Sequence, residues 1–381
     1  MTSRDESLGA SVGHVRPLRV GVLGAGMIAT IGYGYLVHLA KIRDRVEITA
    51  LANRGVEKAR AVATAHGIET AVASLDELLA LDIDAVVNLL PGPDHFVASM
   101  RVLESGRHLV TEKPIANSLG EADQLLELAE RNGLIVVAAP ADMLAAPWIR
   151  ARELVARGAI GKVAFARVQS SHAGAAGLSW PGDPAPFYRE GVGALLDLAV
   201  YGITQATGVL GPARRVSAMS GITAPTRRVR GGPFDGHLIE VTAPDNNLIM
   251  LDHGDSSFTV VDGTFNVVAS KSPKMEVFGL EGTLLVNRDD VAAPPVEIYR
   301  LEAAPGLAGW INPQTYEIFP VGTDRFAELA RGALIEHLAD CVQYGLPPIA
   351  SGLHARHVLE VMLAAQRSAR EGRVIETVTT V

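Results

Sequence analysis

The chain has 381 residues, 48% of them hydrophobic and 20% charged, which is the composition of a globular protein large enough for more than one core. Its 34 basic and 42 acidic side chains give a formal net charge of −8 with no cluster of Lys and Arg, which argues against a nucleic-acid partner. No apolar run is long enough to span a bilayer, and the single cysteine, Cys341, excludes an intramolecular disulfide and a Cys-rich metal site. We therefore expect a cytoplasmic protein without a membrane partner.

Residues 1–16 are polar and lack the apolar segment of a signal peptide, so we expect a disordered tail. From Leu18 to Ala138, short apolar runs alternate with segments of helical periodicity, which is typical of a parallel sheet with crossover helices on both faces. The predicted strands cover residues 19–23, 48–52, 85–90, 108–111 and 134–138. The sequence thus predicts an α/β domain with a doubly wound parallel sheet over residues 17–140.

A glycine turn follows the first predicted strand, with Gly24, Gly26 and Ala29 in the pattern Gly-x-Gly-x-x-Ala. Gly24 permits a sharp turn, Gly26 leaves room for a pyrophosphate beside backbone N–H groups, and the small Ala29 lets the next helix pack on the strand. The phosphates would lie at the positive end of that helix, near Met27 and Ile28. A purely structural turn is the alternative, but the position after the first buried strand favours a Rossmann-type dinucleotide site.

Further cofactor contacts are expected at the carboxyl ends of the other strands, because ligands of such sheets bind there. The residues concerned are Asn53, Arg54, Leu90, Pro91, His95, Glu112 and Lys113. His95 either touches the cofactor or caps the start of a helix.

The end of the second strand bears on which nicotinamide cofactor is used. An acidic residue there would bind the free 2′-hydroxyl of NAD, whereas this chain has Asn53 and Arg54. Arginine makes charge-assisted hydrogen bonds to phosphate, so the sequence favours NADP. NAD stays open, since Asn53 can bind an unphosphorylated ribose and Arg54 can stack on adenine.

After Pro140 the pattern changes to a second unit, over residues 141–381. A helix is predicted over residues 146–157 and a strand over 162–171, followed by a Gly/Pro/aromatic loop and a helix over 193–210. Two helices are predicted near the end, at residues 326–344 and 353–371. The β-type runs between them cover residues 216–222, 238–243, 248–252, 275–279, 283–286 and 296–301. They predict an α+β domain with one large, mostly antiparallel, open sheet.

Lys113 directly follows a buried strand, so its amine is expected in the cofactor crevice. There it could donate hydrogen bonds to the reacting oxygen, and we expect partial desolvation to lower its pKa. The alternative is a solvated loop lysine paired with Glu112.

Asp197 and Tyr201 are four residues apart in an apolar helical segment, which places both side chains on one face. Asp197 could bind a substrate hydroxyl or orient a base, and Tyr201 could exchange a proton with the hydroxyl that is oxidised. A capping aspartate and a packing tyrosine are the alternative. His172, in the loop before this helix, is a second candidate acid or base, or else a loop anchor.

His354 and His357 are three apart in the last predicted helix, a spacing that can bind a metal ion. No third ligand accompanies them, so we interpret the pair as surface residues and predict no metal site.

Taken together, these segments resemble the Gfo/Idh/MocA family from Leu18 to about Thr377. Five motifs occur in the family's order. They are the Gly24/Gly26/Ala29 turn, Val87-Asn88-Leu89-Leu90-Pro91 with His95, residues 105–114 ending in Glu112-Lys113-Pro114, the helix with Asp197, and Leu280-Glu281-Gly282-Thr283-Leu284. The resemblance implies an NAD(P)-dependent oxidoreductase that transfers a hydride between the nicotinamide and a carbinol carbon of a sugar, cyclitol or related polyol. It also implies a homodimer or homotetramer formed through the C-terminal sheet.

Family members commonly use the lysine of the Glu-Lys-Pro motif and an aspartate and a histidine four residues apart, and the first two match Lys113 and Asp197. Tyr201 stands where many relatives have the histidine. In this it resembles a sugar-dehydrogenase-like branch that carries tyrosine at this position. Either Tyr201 or His172 is then the proton acceptor. Two alternatives stay open: a non-catalytic nucleotide-binding relative, and a lyase or isomerase that uses a bound cofactor transiently.

Overall fold

The computed structural model describes residues 16–288, 293–313 and 328–379. The N-terminal part of the chain forms a six-stranded sheet whose neighbouring strands are all parallel. Its strands are β1 (Leu18–Leu23), β2 (Val46–Ala52), β3 (Thr70–Val72), β4 (Ala85–Asn88), β5 (His108–Thr111) and β6 (Val136–Ala138). The order β3-β2-β1-β4-β5-β6 is doubly wound about β1, which confirms the predicted sheet. Strand β3 is not predicted from the sequence, because this three-residue edge strand is only half-buried and has no long apolar run.

Helices cover both faces of this sheet. They are α1 (Met27–Thr30), α2 (Val56–His66), α3 (Leu75–Leu79), α4 (His95–Glu104) and α5 (Leu119–Arg131). The predicted helix after the glycine turn begins where expected, but α1 is a single turn. The chain folds back so sharply at Gly34 that a Cβ there would lie 2.6 Å from the carbonyl oxygen of Ile28.

The C-terminal part contains a nine-stranded sheet and a separate two-stranded hairpin. The strands are β7 (Val163–Gln169), β8 (Arg215–Gly221), β9 (Thr226–Arg228), β10 (Leu238–Glu240), β11 (Asn246–Gly254), β12 (Ser257–Thr264), β13 (Met275–Gly279), β14 (Gly282–Val286), β15 (Val296–Ala304), β16 (Leu307–Ile311) and β17 (Ile375–Glu376). The large sheet has the order β16-β15-β14-β13-β7-β12-β11-β8-β17, and within the described residues only β7 and β12 pair in parallel. This confirms the large, mostly antiparallel sheet, except that β10 pairs with β9 in the hairpin instead of joining it.

As far as the structure describes the chain, helices cover one face of the large sheet and leave the other open. The helices of this part are α6 (Ala146–Ala156), α7 (Gly174–Gly177), α8 (Val200–Leu210), α9 (Ala333–Tyr344) and α10 (Gly352–Glu371). The predicted start of the helix at residues 326 and 327 lies outside the described residues. Within those residues, no helix is both long enough and apolar enough to cross a membrane.

Helix α9 packs on the N-terminal sheet, although it lies near the end of the chain. Leu334 and Leu338 are fully buried in one cluster with Val20, Val87 and Val110. This packing brings the residues just before α9 to the edge of the N-terminal sheet.

The interpretation of His354 and His357 as surface residues is wrong. The two residues are 7% and 0% exposed, because the face of α10 that carries them packs against α8 and β8. Nε2 of His354 lies 2.8 Å from the hydroxyl of Thr207, and the N–H of Ala213 donates to Nε2 of His357 at 3.0 Å. Burial lowers the pKa of each imidazole to about 4, so both rings are neutral structural groups.

Candidate active site

A cavity of about 800 Å³ lies between the carboxyl ends of β1, β4, β5 and β6 and the start of α8. Most of the predicted site residues line it. They are Met27, Ile28, Leu90, Pro91, His95, Glu112, Lys113, His172, Asp197 and Tyr201. The other predicted residues, Gly24, Gly26, Ala29, Asn53 and Arg54, lie at the carboxyl ends of β1 and β2.

The glycine turn has the shape that a pyrophosphate requires. Gly24 has φ +110°, and a Cβ there would lie 2.9 Å from the carbonyl oxygen of Leu89. At Gly26, in contrast, no atom of the described residues lies within 4 Å of the position that a Cβ would take. The first N–H groups of a helix have no partner within it, so those of Met27 and Ile28 are available to phosphate oxygens. These residues fit an anionic dinucleotide, with the local N–H groups contributing more than the dipole of so short a helix.

Asn53 supports this turn from the end of β2. Its Oδ1 accepts the N–H of Ala25 at 3.2 Å, and its Nδ2 donates to the carbonyl of Gly55 at 3.2 Å. The neighbouring Arg54 is exposed. Both groups thus lie where the ribose of a bound dinucleotide is expected.

His95 joins two of the loops that form the cavity. It is 1% exposed, and its ring nitrogens lie 2.7 Å from the carbonyl oxygen of Pro114 and 2.6 Å from that of Leu90. Because protein carbonyls occupy both nitrogens, this ring holds the loops after β4 and β5 in place.

Lys113 and Asp197 meet in the cavity although they are far apart in the chain. The amine Nζ of Lys113 lies 3.0 Å from Oδ1 of Asp197, with side chains 15% and 18% exposed. Burial disfavours the ammonium, but the charge of Asp197, with Tyr201 and Glu112, outweighs it and raises the pKa of Lys113. The expectation of a lowered pKa is therefore wrong, and Lys113 is a fixed cation.

A π-helical turn at Leu195–Ala199 precedes α8 and presents Asp197. Such turns interrupt the regular hydrogen-bond ladder and are frequent at functional sites. Here the amine of Lys113 also donates to the carbonyl oxygens of Asp197 at 3.1 Å and Leu196 at 3.4 Å. The predicted helix over residues 193–210 therefore begins with a widened turn that binds the lysine.

Tyr201 lies one turn further along, between two cations. The amine of Lys113 is 5.3 Å from the ring centroid, and Nη2 of Arg331 donates to the phenolic oxygen at 3.1 Å. Burial raises the pKa of Tyr201 above its ordinary value, although Lys113 and Arg331 oppose this shift. The phenol is therefore protonated at neutral pH.

His172 lines the cavity from the loop after β7. The N–H of Gly174 donates to its Nδ1 at 2.9 Å, and burial lowers the pKa of the ring. The ring is thus neutral at pH 7 with its proton on Nε2, which makes His172 a hydrogen-bond donor to the cavity.

Sequence reasoning missed two residues that the structure adds beside α8. Asp142 follows the carboxyl end of β6, and Gln205 lies four residues after Tyr201. Nε2 of Gln205 donates to Oδ1 of Asp142 at 2.5 Å, and burial raises the pKa of that carboxyl. Both could be predicted from the sequence. Asp142 follows the carboxyl end of a parallel strand, where ligands bind, and Gln205 is spaced to lie on the same helix face as Tyr201.

Arg331 is a third missed residue, and no signal near it in the sequence indicates a site. Its Nε lies 3.4 Å from Oε1 of Glu112, which also accepts the hydroxyl of Tyr35 at 3.1 Å. The carboxylate of Glu112 is therefore paired with Arg331 and Tyr35. This differs from the alternative in which Lys113 is a solvated loop lysine paired with Glu112.

Comparisons with known proteins agree with this architecture. Residues 18–139 match the model of an oxidoreductase family with an NAD-binding Rossmann fold, and residues 148–285 match the GFO/IDH/MocA C-terminal domain. The dTDP-3,4-didehydro-2,6-dideoxy-alpha-D-glucose 3-reductase of Streptomyces violaceoruber is 30% identical over 85% of this chain and 89% of its own length. The scyllo-inositol 2-dehydrogenase (NAD(+)) of Bacillus subtilis is 24% identical over 94% of this chain and 96% of its own.

Among solved structures, an NAD-binding oxidoreductase from Klebsiella pneumoniae has a TM-score of 0.79 at 20% identity, covering 96% of this chain and 100% of that one. A likeness at this identity shows a shared fold. With the family models and the 30% identical relative, it shows that the chain belongs to the GFO/IDH/MocA family of NAD(P)-binding oxidoreductases.

Proposed function

We propose that this protein interconverts a carbonyl and a carbinol on the ring of a sugar, cyclitol or related polyol, with NAD(P) as the redox partner. The observation that carries the proposal is the meeting of Lys113, Asp197 and Tyr201 in one cavity beside the glycine turn. Gly24, Gly26 and the first residues of α1 would hold the pyrophosphate.

The protonation state of the site suits reduction of a carbonyl. The phenol of Tyr201 donates its proton to the carbonyl oxygen, and the ammonium of Lys113, held by Asp197, stabilises the resulting phenolate. When bound, a reduced nicotinamide supplies the hydride that the carbonyl carbon accepts, which gives a carbinol and an oxidised cofactor. In the reverse direction the phenolate accepts the proton of the carbinol.

The lining of the cavity supports a hydroxyl-rich ring as substrate. Three buried polar atoms there have no hydrogen-bond partner within the described residues: Oε1 of Gln205, Oε1 of Gln169 and Nε1 of Trp180. Leaving such groups unpaired costs about 1–3 kcal/mol each, so ligand hydroxyls that pair with them bind favourably. The indole of Trp180 lies 5.3 Å from the ring of Phe187 and adds apolar surface for a sugar ring. The two relatives above are named for a deoxysugar and an inositol.

The test uses the purified protein with NADPH or NADH and a panel of keto sugars, inososes and nucleotide-linked ketosugars, following oxidation of the nicotinamide. We expect turnover with at least one of them. In the Lys113→Ala variant we expect kcat to fall about a hundredfold or more at saturating cofactor. Lys162→Ala, which removes an exposed lysine outside the cavity, is the matched control.

Other outcomes point to the alternatives. Cofactor binding without turnover on any substrate favours a nucleotide-binding sensor or scaffold. Turnover without net oxidation of NADPH favours a lyase or isomerase. If neither turnover nor cofactor binding is observed, the proposal is wrong.

We also propose that the chain forms a homodimer or homotetramer through the open face of the large sheet. This face exposes a patch of apolar side chains, which we call the sheet patch: Met219, Leu248, Met250, Phe258 and Trp310. Apolar patches of this kind mark protein–protein contacts. Ultracentrifugation of Leu248→Glu should show smaller species than the wild type, whereas Val97→Glu, at an exposed apolar position on α4, should not. A wild-type monomer would contradict the proposal.

Two further expectations stay proposals. We propose that residues 17–140 bind the cofactor and that residues 141–381 supply the substrate contacts and the assembly surface. We propose a cytoplasmic location, which the lone, buried thiol of Cys341 supports.

A further inference from the structure

Arg331 reaches the cavity from a short segment just before α9. Ala330–Gly332 forms one 3-10 turn that leads directly into this helix. Because Leu334 and Leu338 of α9 are fully buried on the N-terminal sheet, the position of the turn is determined by the core. The amine of Lys41 also donates to the carbonyl of Glu328 at 3.1 Å. Arg331 is therefore presented by a well-supported element.

The guanidinium of Arg331 joins both halves of the chain. Its Nε lies 3.4 Å from Glu112, its Nη1 donates to the carbonyl of Tyr33 at 3.3 Å, and its Nη2 donates to the phenol of Tyr201 at 3.1 Å. The guanidinium carbon lies 4.9 Å from the ring centroid of Tyr33. Contacts on three sides leave the planar group little freedom to rotate.

This geometry limits where the proton of Tyr201 can go. A guanidinium only donates hydrogen bonds, so the phenolic hydrogen cannot point at Arg331. The contact occupies one lone pair of the phenolic oxygen and leaves the O–H to point elsewhere, which is the arrangement that a proton donor requires.

Tyr201 is surrounded by charges from several elements. Lys113 from the loop after β5 and Arg331 favour the phenolate, whereas burial, Glu112 and Asp197 favour the neutral phenol. Tyr35, which contacts Glu112, lies in the same cluster. Arg331 is thus one of two cations that oppose the effect of burial on the pKa of Tyr201. Of these two, Arg331 is the one that contacts the phenolic oxygen.

We propose that Arg331 is a positioning residue for catalysis: it holds the phenolic oxygen of Tyr201, directs its proton away from the guanidinium, and stabilises the phenolate left after proton donation. This inference rests on the proposed carbonyl reduction. A merely structural role, in which Arg331 only joins the two halves of the chain, would not require its charge beside the phenol.

The test titrates the phenol itself and needs no substrate. The full-length protein is labelled with ring-fluorinated tyrosine, whose lower intrinsic pKa brings the titration into a less alkaline pH range. The signal of Tyr201 in the fluorine NMR spectrum is assigned by its loss in the Tyr201→Phe variant. In Arg331→Gln we expect the pKa of this phenol to rise by about one unit, because one of its two cations is gone. An unchanged titration in folded Arg331→Gln would overturn the proposal.

Arg45→Gln is the matched control. Arg45 also joins distant parts of the chain, through Asp340 at 2.5 Å, but it does not line the cavity. We expect it to leave the titration of the phenol unchanged. An equal shift in Arg45→Gln would mean general loosening and would contradict the specific role.

Arg331→Lys provides a second measurement if Arg331→Gln does not fold. Lysine keeps the charge but loses the planar fork, so we expect a nearly normal phenol titration, a kcat reduced about tenfold or more, and a smaller change in KM. An unchanged kcat in Arg331→Lys would overturn the positioning role. If the phenol shifts in Arg331→Gln but the wild type reduces no carbonyl, the proposed function fails while the electrostatic contact stands.

Discussion

The two ends of the cavity are built in different ways. At the proposed cofactor end, residues 24–29 follow one another in the chain, and the backbone provides both the open space and the N–H groups. At the proposed catalytic end, Lys113 and Asp197 are 84 residues apart, and Arg331 is 130 residues from Tyr201. The first end depends on local conformation, whereas the second depends on side-chain charges that only the folded core brings together. Variants at the first end should therefore lose cofactor binding, whereas variants at the second end should lose turnover.

The largest expected effect is at the catalytic end. Tyr201→Phe removes the proposed proton donor and should lower kcat for carbonyl reduction about a thousandfold, with little change in the Kd of the cofactor. Steady-state kinetics and a fluorescence titration with NADPH measure the two effects separately. Tyr344→Phe, at an exposed tyrosine of α9, is the control. Full activity in Tyr201→Phe would assign the proton to another group, with His172 as the next candidate.

The buried histidines of α10, His354 and His357, should make the stability of the fold depend on pH. Their folded pKa of about 4 lies below the unfolded value of about 6.5, so below pH 6.5 the unfolded chain binds protons that the native rings do not. The stabilisation is complete above pH 6.5 and is lost as pH falls from 6.5 towards 4, by up to about 3 kcal/mol per ring.

Urea unfolding at pH 7 and pH 5 measures this effect. The free energy of unfolding of a His357→Gln variant should fall less between these pH values than that of the wild type, because the variant lacks one of these titrating rings. Lowering the pH also protonates carboxylates, so the comparison is between the two proteins. Equal losses would show that His357 does not contribute.

At the cofactor end, Gly26→Val should fill the open space of the glycine turn. We expect the Kd of NAD(P)H to rise about a hundredfold, because the side chain occupies the path of the pyrophosphate. Gly309→Val is the control, since its Cβ would also meet open space, but on β16. Unchanged binding in Gly26→Val would mean that the turn is structural only.

The smallest expected effect concerns the choice between the two cofactors. We propose that the exposed Arg54 binds the 2′-phosphate of NADP, so Arg54→Ala should weaken NADPH binding about tenfold and leave NADH binding unchanged. Calorimetric titration with both cofactors measures this, with Arg60→Ala on α2 as an exposed-arginine control. Equal effects on both cofactors would place Arg54 at the adenine instead.

Much of this could be predicted from sequence because it depends on short-range patterns. The buried runs of β1 and β4 and the glycine turn predict the parallel sheet and the location of the crevice. The differences between prediction and structure have physical causes. β3 has too little apolar character, and the strands of the β9–β10 hairpin have the same pattern as those of the large sheet. The spacing of His354 and His357 does not indicate which elements cover α10.

The amino-acid sequence predicts the two kinds of sheet, the glycine turn, and Lys113, Asp197 and Tyr201 as candidate site residues. The protonation of these side chains and their hydrogen-bond partners depend on the folded chain. A pKa depends on burial and on charges within a few ångströms, and for Tyr201 those charges come from the loop after β5, the π turn before α8 and the segment before α9. No local sequence pattern encodes the distance between Arg331 and Tyr201, because the packing of α9 on the N-terminal sheet sets it.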